Sequence, residues 1–191
     1  GPAAVTYEAG PTGFGLARAL ATAGIRCEVA APSKINRAPG DRIKTDGRDA
    51  VLLARLLRLD DIVAVRVPTV AQESARDLVR AREDVRTDLM RVRHRISKLL
   101  LRHGHVYCGG AAWTGKHEQW LDQIRFTGLE RAGTQAAYDA DREALAMAVL
   151  RRRRLDEQIA ALAVDSEFTP VTRRLCCLRG ISELTGFALA V

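Results

Sequence analysis

The organisation of this chain is decided by residues 44–57, which run Lys44-Thr45-Asp46-Gly47-Arg48-Asp49-Ala50-Val51-Leu52-Leu53-Ala54-Arg55-Leu56-Leu57. Periodic apolar residues begin just after the aspartates, which predicts a helix that is capped by Thr45 or Asp46 and continues to about Leu59. Residues three apart share one face of a helix, so Asp46 and Asp49 project side by side from its first turn. The purely structural alternative is that Asp46 caps the helix and Asp49 completes a capping-box-like arrangement.

The segment before this helix predicts a βαβ unit. Residues 3–7 are rich in β-formers and are followed by Glu8-Ala9-Gly10-Pro11, residues 13–23 have helical periodicity, and residues 26–30 are again rich in β-formers. A strand, a helix and a strand within about 30 residues imply parallel pairing with a right-handed crossover. Ligands of such sheets bind beyond the carboxyl ends of the strands, which is where Glu8 lies. We therefore expect Glu8, Asp46 and Asp49 to converge at one edge of a small sheet.

Converging carboxylates predict a metal site. Carboxylates held close together repel one another unless cations bridge them. Their hard oxygen atoms suit Mg²⁺ or Mn²⁺, and a pair of such ions clamps the attacking and leaving oxygens of a phosphodiester. The connecting segment and the helix start also add five cations that suit a phosphate backbone, although a plain solvated loop has the same composition. These cations are Lys34, Arg37, Arg42, Lys44 and Arg48.

The net charge favours a polyanionic partner. The 191 residues include 30 Lys and Arg against 23 Asp and Glu, which gives a formal net charge of +7. The four cysteines form no C-x-x-C pair, and no apolar run approaches the roughly 20 residues that cross a bilayer. We expect a reduced, cytoplasmic chain with no membrane partner.

Two long amphipathic helices are predicted after Thr69. In the first, the apolar residues step by seven, four, three, four and three, which is a heptad seam. Its members are Leu78, Val85, Leu89, Val92, Ile96 and Leu99. The second helix covers residues 139–163 and has a less regular apolar stripe. The pair suits an antiparallel hairpin within the chain or pairing with another subunit, and the sequence leaves both open.

The first of these helices carries charge of one sign over its second half. No acidic residue occurs between Asp88 and Glu118, whereas the cations in that interval are Arg91, Arg93, Arg95, Lys98, Arg102 and Lys116. Most charged helix faces mix the two signs, so this stretch favours a nucleic-acid backbone as partner. Trp113 and Trp120 are either base-stacking platforms or anchors of a small core. The run at residues 151–154, four arginines, is a second candidate for phosphate contacts.

Taken together, the motifs resemble those of the DEDD-type insertion-sequence transposases, the family that includes the Piv and MooV recombinases. The resemblance rests on Tyr7-Glu8-Ala9-Gly10-Pro11, Ala31-Pro32-Ser33-Lys34, Pro39-Gly40-Asp41-Arg42, and Lys44-Thr45-Asp46 with Asp49-Ala50. It implies an α/β RuvC-like (RNase H-like) nuclease domain, a helical connecting region and a C-terminal domain with a serine nucleophile. It also implies that Glu8, Asp46 and Asp49 are catalytic Mg²⁺ ligands in a bacterial, cytoplasmic protein, with DNA and a structured guide RNA as partners.

Two parts of the family pattern are not matched. The family's first aspartate belongs on a strand before Ala3, and the nucleophilic serine belongs beyond Val191, since Ser182 does not match its motif. We therefore expect an incomplete RuvC-like domain at residues 1–68, a mainly α-helical, partly coiled-coil region for nucleic-acid binding and dimerisation at 69–168, and the start of the C-terminal transposase domain at 169–191.

The expected function is that of a DNA transposase or recombinase, inactive as this fragment alone and forming a homo-oligomer. The alternatives are a free-standing RuvC-like nuclease, and a non-catalytic helical module for nucleic-acid binding and dimerisation.

Overall fold

The computed structural model describes residues 3–35 and 45–191. The chain divides into two compact units, Gly1–Ala71 and Gln72–Val191. Three of the predicted phosphate-binding cations, Arg37, Arg42 and Lys44, lie outside the described residues.

The first unit is built on a βαβ element, as the sequence predicts. β1 (Ala4–Glu8) and β2 (Arg26–Ala30) pair in parallel, with Glu8 opposite Ala30. α1 (Gly15–Thr22) connects the two strands and packs on β2. The predicted β-rich connector at 61–68 contributes one antiparallel bridge, between Ala64 and Ala30. Within the described part of this unit the regular sheet therefore has two strands, flanked by helices.

α2 (Asp46–Arg58) follows and packs on β1. Its N-cap is Thr45, whose hydroxyl accepts a hydrogen bond from the backbone N–H of Arg48 at 3.4 Å. A capping box places its acidic residue three positions after the cap, and Arg48 stands at that position. The N-cap is thus Thr45 and not Asp46, and both aspartates stand in the first turn, where the helix dipole favours negative charge.

The second unit is helical, and its two long helices form an antiparallel hairpin. Its helices are α3 (Val70–Arg102), α4 (Gly115–Gln123), α5 (Ala132–Val164), α6 (Thr169–Cys176) and α7 (Glu183–Ala190). Arg82 pairs with Asp156 at 2.8 Å, and Arg95 pairs with Asp141 at 2.8 Å. The partner number on α5 falls as the number on α3 rises, so the two helices run in opposite directions. The hairpin within one chain was one of the two arrangements that the sequence left open.

The heptad seam of α3 is buried inside this unit. Leu89 is 1% exposed and Ile96 is fully buried, and both belong to one apolar cluster with Leu121 of α4 and Tyr138 and Leu145 of α5. The seam therefore has apolar partners in its own chain. A coiled coil with another subunit remains a prediction, and burial of these residues does not require it.

Three shorter helices, α4, α6 and α7, are not predicted from the sequence. α4 and α7 begin where a hydroxyl caps the first turn: the Thr114 hydroxyl accepts from the His117 N–H at 3.4 Å, and the Ser182 hydroxyl accepts from the Thr185 N–H at 3.3 Å. α7 buries Phe187 in a second apolar cluster. None of the helices within residues 3–35 and 45–191 combines the length and apolar character needed to cross a membrane.

Candidate acidic and nucleic-acid-binding sites

The three carboxylates predicted to be catalytic line one groove in the first unit. The groove has a volume of about 570 Å³ and lies between β1 and α2. Glu8 ends β1, while Asp46 and Asp49 occupy the first turn of α2, and all three contribute to the wall. The packing of α2 on β1 therefore brings together carboxylates that are far apart in the sequence.

Hydrogen bonds fix the strand end that carries Glu8. The Tyr7 hydroxyl donates to the carbonyl of Gly13 at 3.0 Å, and the backbone N–H of Ala9 donates to the carbonyl of Ala30 at 2.9 Å. Glu8 is half-buried between these two anchored neighbours. Asp49 is also half-buried and Asp46 is exposed, so the groove is open to solvent on its aspartate side.

The donor set suits a hard divalent cation in kind. All three side chains offer carboxylate oxygens, the ligands that Mg²⁺ and Mn²⁺ prefer, and Mg²⁺ is commonly held by one or two carboxylates and several waters. Within the described ranges, however, no group of three His, Cys, Asp or Glu side chains is close enough to hold a metal ion together. The structure thus shows a shared groove, and metal binding by Glu8, Asp46 and Asp49 stays a prediction.

The predicted phosphate-binding cations of the first unit are placed only in part. Lys34 is exposed at the end of a short 3-10 helix, Pro32–Lys34, and Arg48 is exposed on the first turn of α2. Arg42 and Lys44 lie outside the described residues. Contact of these four cations with nucleic acid remains a prediction.

The five cations predicted on α3 separate into two groups. Four of them are spaced by four, three and four residues and lie exposed along one stripe of the helix: Arg91, Arg95, Lys98 and Arg102. In this basic stripe, Arg91 pairs with Asp88 at 3.1 Å and Arg95 pairs with Asp141 at 2.8 Å. The other two members form no ion pair with any residue that the structure describes. The stripe is therefore partly neutralised at its N-terminal end and fully cationic at its C-terminal end.

Arg93 lies apart from the basic stripe. It is half-buried, and its guanidinium carbon stands over the Trp113 ring at 5.0 Å from the centroid, which is a cation–π contact. Burial, together with the positive charge of Arg152, lowers the pKa of Arg93, while Glu118 opposes this effect. Trp113 itself packs against the apolar cluster of α3, α4 and α5, as Trp120 does. The two tryptophans are thus core anchors, one of the two roles that the sequence left open.

A buried histidine lies next to these rings. His117 is 5% exposed, and its ring lies 4.7 Å from that of Tyr107, 4.9 Å from that of Trp113 and 5.4 Å from that of Trp120. Burial lowers its pKa below the usual value. The sequence gives no signal for this environment, because the aromatic partners come from the loop before α4 as well as from α4.

A model of the DEDD-type transposase family of IS110 matches residues 3–104, more than half of the chain. The chain belongs to the IS110 family of DEDD transposases. The matched stretch includes the acidic groove and the basic stripe. The family predicted from the sequence is thereby confirmed.

Two curated relatives of this IS110-family chain are transposases by name. A protein of Sinorhizobium fredii named as a transposase is 48% identical over 120 residues, which is 63% of this chain and 31% of the relative. The transposase for insertion sequence element IS1533 of Leptospira borgpetersenii is 34% identical over 185 residues, 96% of this chain and 53% of the relative. The chain thus spans about a third to about a half of the length of these relatives. No solved structure matches it.

Proposed function

We propose that this chain is part of an IS110-family transposase that cuts and rejoins DNA under the direction of a structured RNA. The observation that carries the proposal is the acidic groove, because Glu8, Asp46 and Asp49 line one cavity within the stretch that the family model covers. When bound, Mg²⁺ or Mn²⁺ supplies Lewis-acid stabilisation of the charge that develops on a phosphodiester. Glu8 approaches the site from the end of β1, and the two aspartates approach it from the start of α2.

The proposed architecture has three regions. We assign the first unit to a RuvC-like fold, supported by the parallel β1–β2 pair and by the carboxylate at the end of β1. We assign residues 69–168 to a helical, partly coiled-coil region for nucleic-acid binding and oligomerisation, and residues 169–191 to the start of a C-terminal transposase domain. The length of the curated relatives beyond the matched part supports a further domain in the whole protein.

The proposed nucleic-acid contacts are electrostatic. Lys34, Arg42, Lys44 and Arg48 would contact the DNA backbone, and the basic stripe of α3 would hold DNA or the guide RNA. Cations that contact phosphates fix the register of a nucleic-acid strand without reading its bases, so they suit either DNA or RNA.

Metal binding to the chain tests the acidic groove. Isothermal titration with Mn²⁺ should show binding that Glu8→Gln, Asp46→Asn and Asp49→Asn each weaken by about tenfold or more, because even indirect ligand support is worth about 10–100-fold in metal affinity. Asp61→Asn is the matched control, since Asp61 is an exposed carboxylate of the same unit that does not line the groove. Equal losses in all four variants would show that the groove is not the site.

A cleavage assay tests the expected activity. The full-length protein with cognate DNA, guide RNA and Mg²⁺ should cleave its substrate, and this chain alone should leave the substrate intact on a denaturing gel. The reason is that two-metal chemistry needs carboxylates that fix both ions, and three carboxylates are few for that task. Cleavage by this chain alone that disappears in Asp46→Asn would instead support a free-standing RuvC-like nuclease.

One observation favours a second candidate function, a non-catalytic helical module that binds nucleic acid. It is the absence, among the residues described, of three carboxylates close enough to hold a metal. Salt-dependent nucleic-acid binding without any Mn²⁺ binding would support this module against the transposase site.

A further inference from the structure

A second cavity lies in the helical unit, away from the basic stripe. It has a volume of about 480 Å³ and is lined by side chains of α3, α4 and α5 and by Trp113. Four arginines contribute to its wall, namely Arg93, Arg142, Arg152 and Arg153, against one acid, Glu118. This excess of positive charge is unusual for a partly enclosed site, because desolvated cations need anionic partners.

Two of these arginines have satisfied guanidinium groups. Arg142 donates to Glu118 at 2.7 Å and to Asp122 at 2.7 Å. Arg153 pairs with Glu157 at 3.0 Å. Neither side chain therefore requires a further anion.

The other two arginines are less completely paired. The Nε atoms of Arg93 and Arg152 are both buried and make no hydrogen bond. Asp156 lies 3.7 Å from the Arg152 Nε, and Arg93 forms no ion pair with any residue in the described ranges. Asp156 is shared between Arg152 at 3.7 Å and Arg82 at 2.8 Å, and burial together with the positive charge of Arg152 lowers the pKa of Arg93.

We infer that Arg93 and Arg152 bind one phosphate group of a nucleic-acid backbone in this cavity, with Trp113 supporting the Arg93 guanidinium from below. A phosphate offers several acceptor oxygens to guanidinium donors, and such charge-assisted hydrogen bonds are about twice as strong as neutral ones. The anion would accept hydrogen bonds from the guanidinium groups that line the cavity and would offset the repulsion between the two arginines. The inference rests on the proposed nucleic-acid binding and adds a site separate from the basic stripe.

The residue that contacts Arg93, Trp113, has an unusual backbone conformation. Trp113 has φ of 64°, a left-handed conformation that is a true outlier for a bulky residue. Strain of this kind persists where the surrounding structure demands it, and it concentrates at ligand clamps. The ring of this residue lies 5.0 Å from the guanidinium carbon of Arg93, in cation–π contact.

The four-arginine run on α5 supplies a matched control. Arg152 lines the phosphate cavity, whereas Arg154 lines a different pocket of about 370 Å³ together with Asp84 and Asp88. Arg152→Gln and Arg154→Gln therefore remove the same charge from the same helix. Only the first variant removes a donor of the proposed phosphate site.

The first experiment measures affinity for a short fluorescein-labelled DNA duplex over a series of salt concentrations. Arg152→Gln should weaken binding by about tenfold and make the salt slope shallower by about 1. Arg154→Gln should keep the parent slope. Thermal unfolding in the absence of DNA should show that Arg152→Gln is at least as stable as the parent, because the variant relieves like-charge repulsion. Equal effects of both variants on the slope would overturn the inference.

The second experiment uses Trp113 as a reporter. The chain has two tryptophans, so Trp120→Phe leaves Trp113 as the sole tryptophan, and its emission is recorded with excitation that tyrosine does not absorb. DNA should shift the emission of Trp113 in this background, and Arg152→Gln should abolish the shift. Binding of DNA without any shift would overturn the pocket while leaving the basic stripe and the proposed function intact.

Pyrophosphate distinguishes a phosphate of a nucleic-acid backbone from a phosphate of a small molecule as the group that binds. If the chain binds no DNA, the proposed nucleic-acid function fails. A shift of Trp113 emission by pyrophosphate that Arg152→Gln abolishes would then retain the phosphate site but overturn the nucleic acid as its source. No shift with either DNA or pyrophosphate would overturn the site altogether.

Discussion

Leu89→Ala tests whether the heptad seam of α3 is satisfied within one chain. Leu89 is 1% exposed and belongs to the apolar cluster that joins α3 to α4 and α5. The substitution removes buried methyl groups and leaves a cavity between packed helices. Buried Leu→Ala changes cost about 2–5 kcal/mol, and the near-complete burial of Leu89 favours the upper half of this range.

The matched control is Leu101→Ala. Leu101 lies on the same helix but is 58% exposed, so removal of the same atoms should cost less than about 0.5 kcal/mol. At about 2–4 °C per kcal/mol for a chain of this size, the midpoint of thermal unfolding should fall by about 10 °C in Leu89→Ala. It should fall by no more than about 2 °C in Leu101→Ala.

Circular dichroism and light scattering together decide the interpretation. Packing within the chain predicts a lower unfolding midpoint with an unchanged molar mass at every protein concentration. A seam that binds another subunit predicts a smaller species in Leu89→Ala and a parent midpoint that rises with protein concentration. That second pattern would refute packing of the seam within one chain.

Three further predictions concern single groups. Burial lowers the pKa of His117 below its usual 6.5. As the pH falls below about 6.5, the unfolded chain therefore binds a proton before the folded chain does, and the free energy of unfolding should decrease. In His117→Gln, the urea midpoint should not show this decrease. Burial raises the pKa of Tyr138 from 10.0 to about 12, and its hydroxyl donates to the Leu121 carbonyl at 2.8 Å. The unfolded chain therefore loses this proton first, and the free energy of unfolding should fall between pH 10 and 12. Tyr138→Phe should remove this pH dependence and should lower stability by about 1 kcal/mol at every pH. Thr45→Ala removes the cap of α2 and should cost the first unit about 1 kcal/mol, visible as faster hydrogen exchange of the Arg48 amide.

Each of these three has a contrary result. A pH profile below 6.5 that is the same in the parent and in His117→Gln would assign the decline to other groups. A parent that stays equally stable from pH 10 to 12 would contradict burial of the Tyr138 hydroxyl. Unchanged exchange at Arg48 in Thr45→Ala would contradict the side-chain cap.

Local patterns in the sequence predict the helices, strands and caps whose formation depends on residues that are close together in the chain. The strand, helix and strand of residues 4–30, the cap at Thr45 and the burial of Leu89 and Ile96 follow from alternation, turn residues and heptad spacing. Glu8, Asp46 and Asp49 line one groove, but within the described residues they are not close enough to hold a metal ion together, so their role as a site stays a prediction.

The partners of long charged side chains were not predictable in the same way. Arg95 belongs to a stretch of one sign in the sequence, yet its nearest acid is Asp141 on another helix. The register of α3 against α5 decides that pairing, and the register depends on the whole apolar interface. For the same reason the sequence placed Arg93 with its neighbours, whereas the fold turns it toward Trp113 and Arg152.

The register of the hairpin also limits what the basic stripe can offer to a nucleic acid. From Arg91 to Arg102 the stripe rises by about 16 Å, which matches the rise of about five phosphates along one strand of DNA. Four unpaired cations on such a length would release about four condensed ions on binding. Arg91 and Arg95, however, must first break their ion pairs with Asp88 and Asp141. The two freed carboxylates then bind cations from solution, which offsets the cations that the phosphates release. The basic stripe should therefore release only about two condensed ions, as a helix with two unpaired cations would. A nucleic-acid backbone should bind first at the end of the stripe near Arg102.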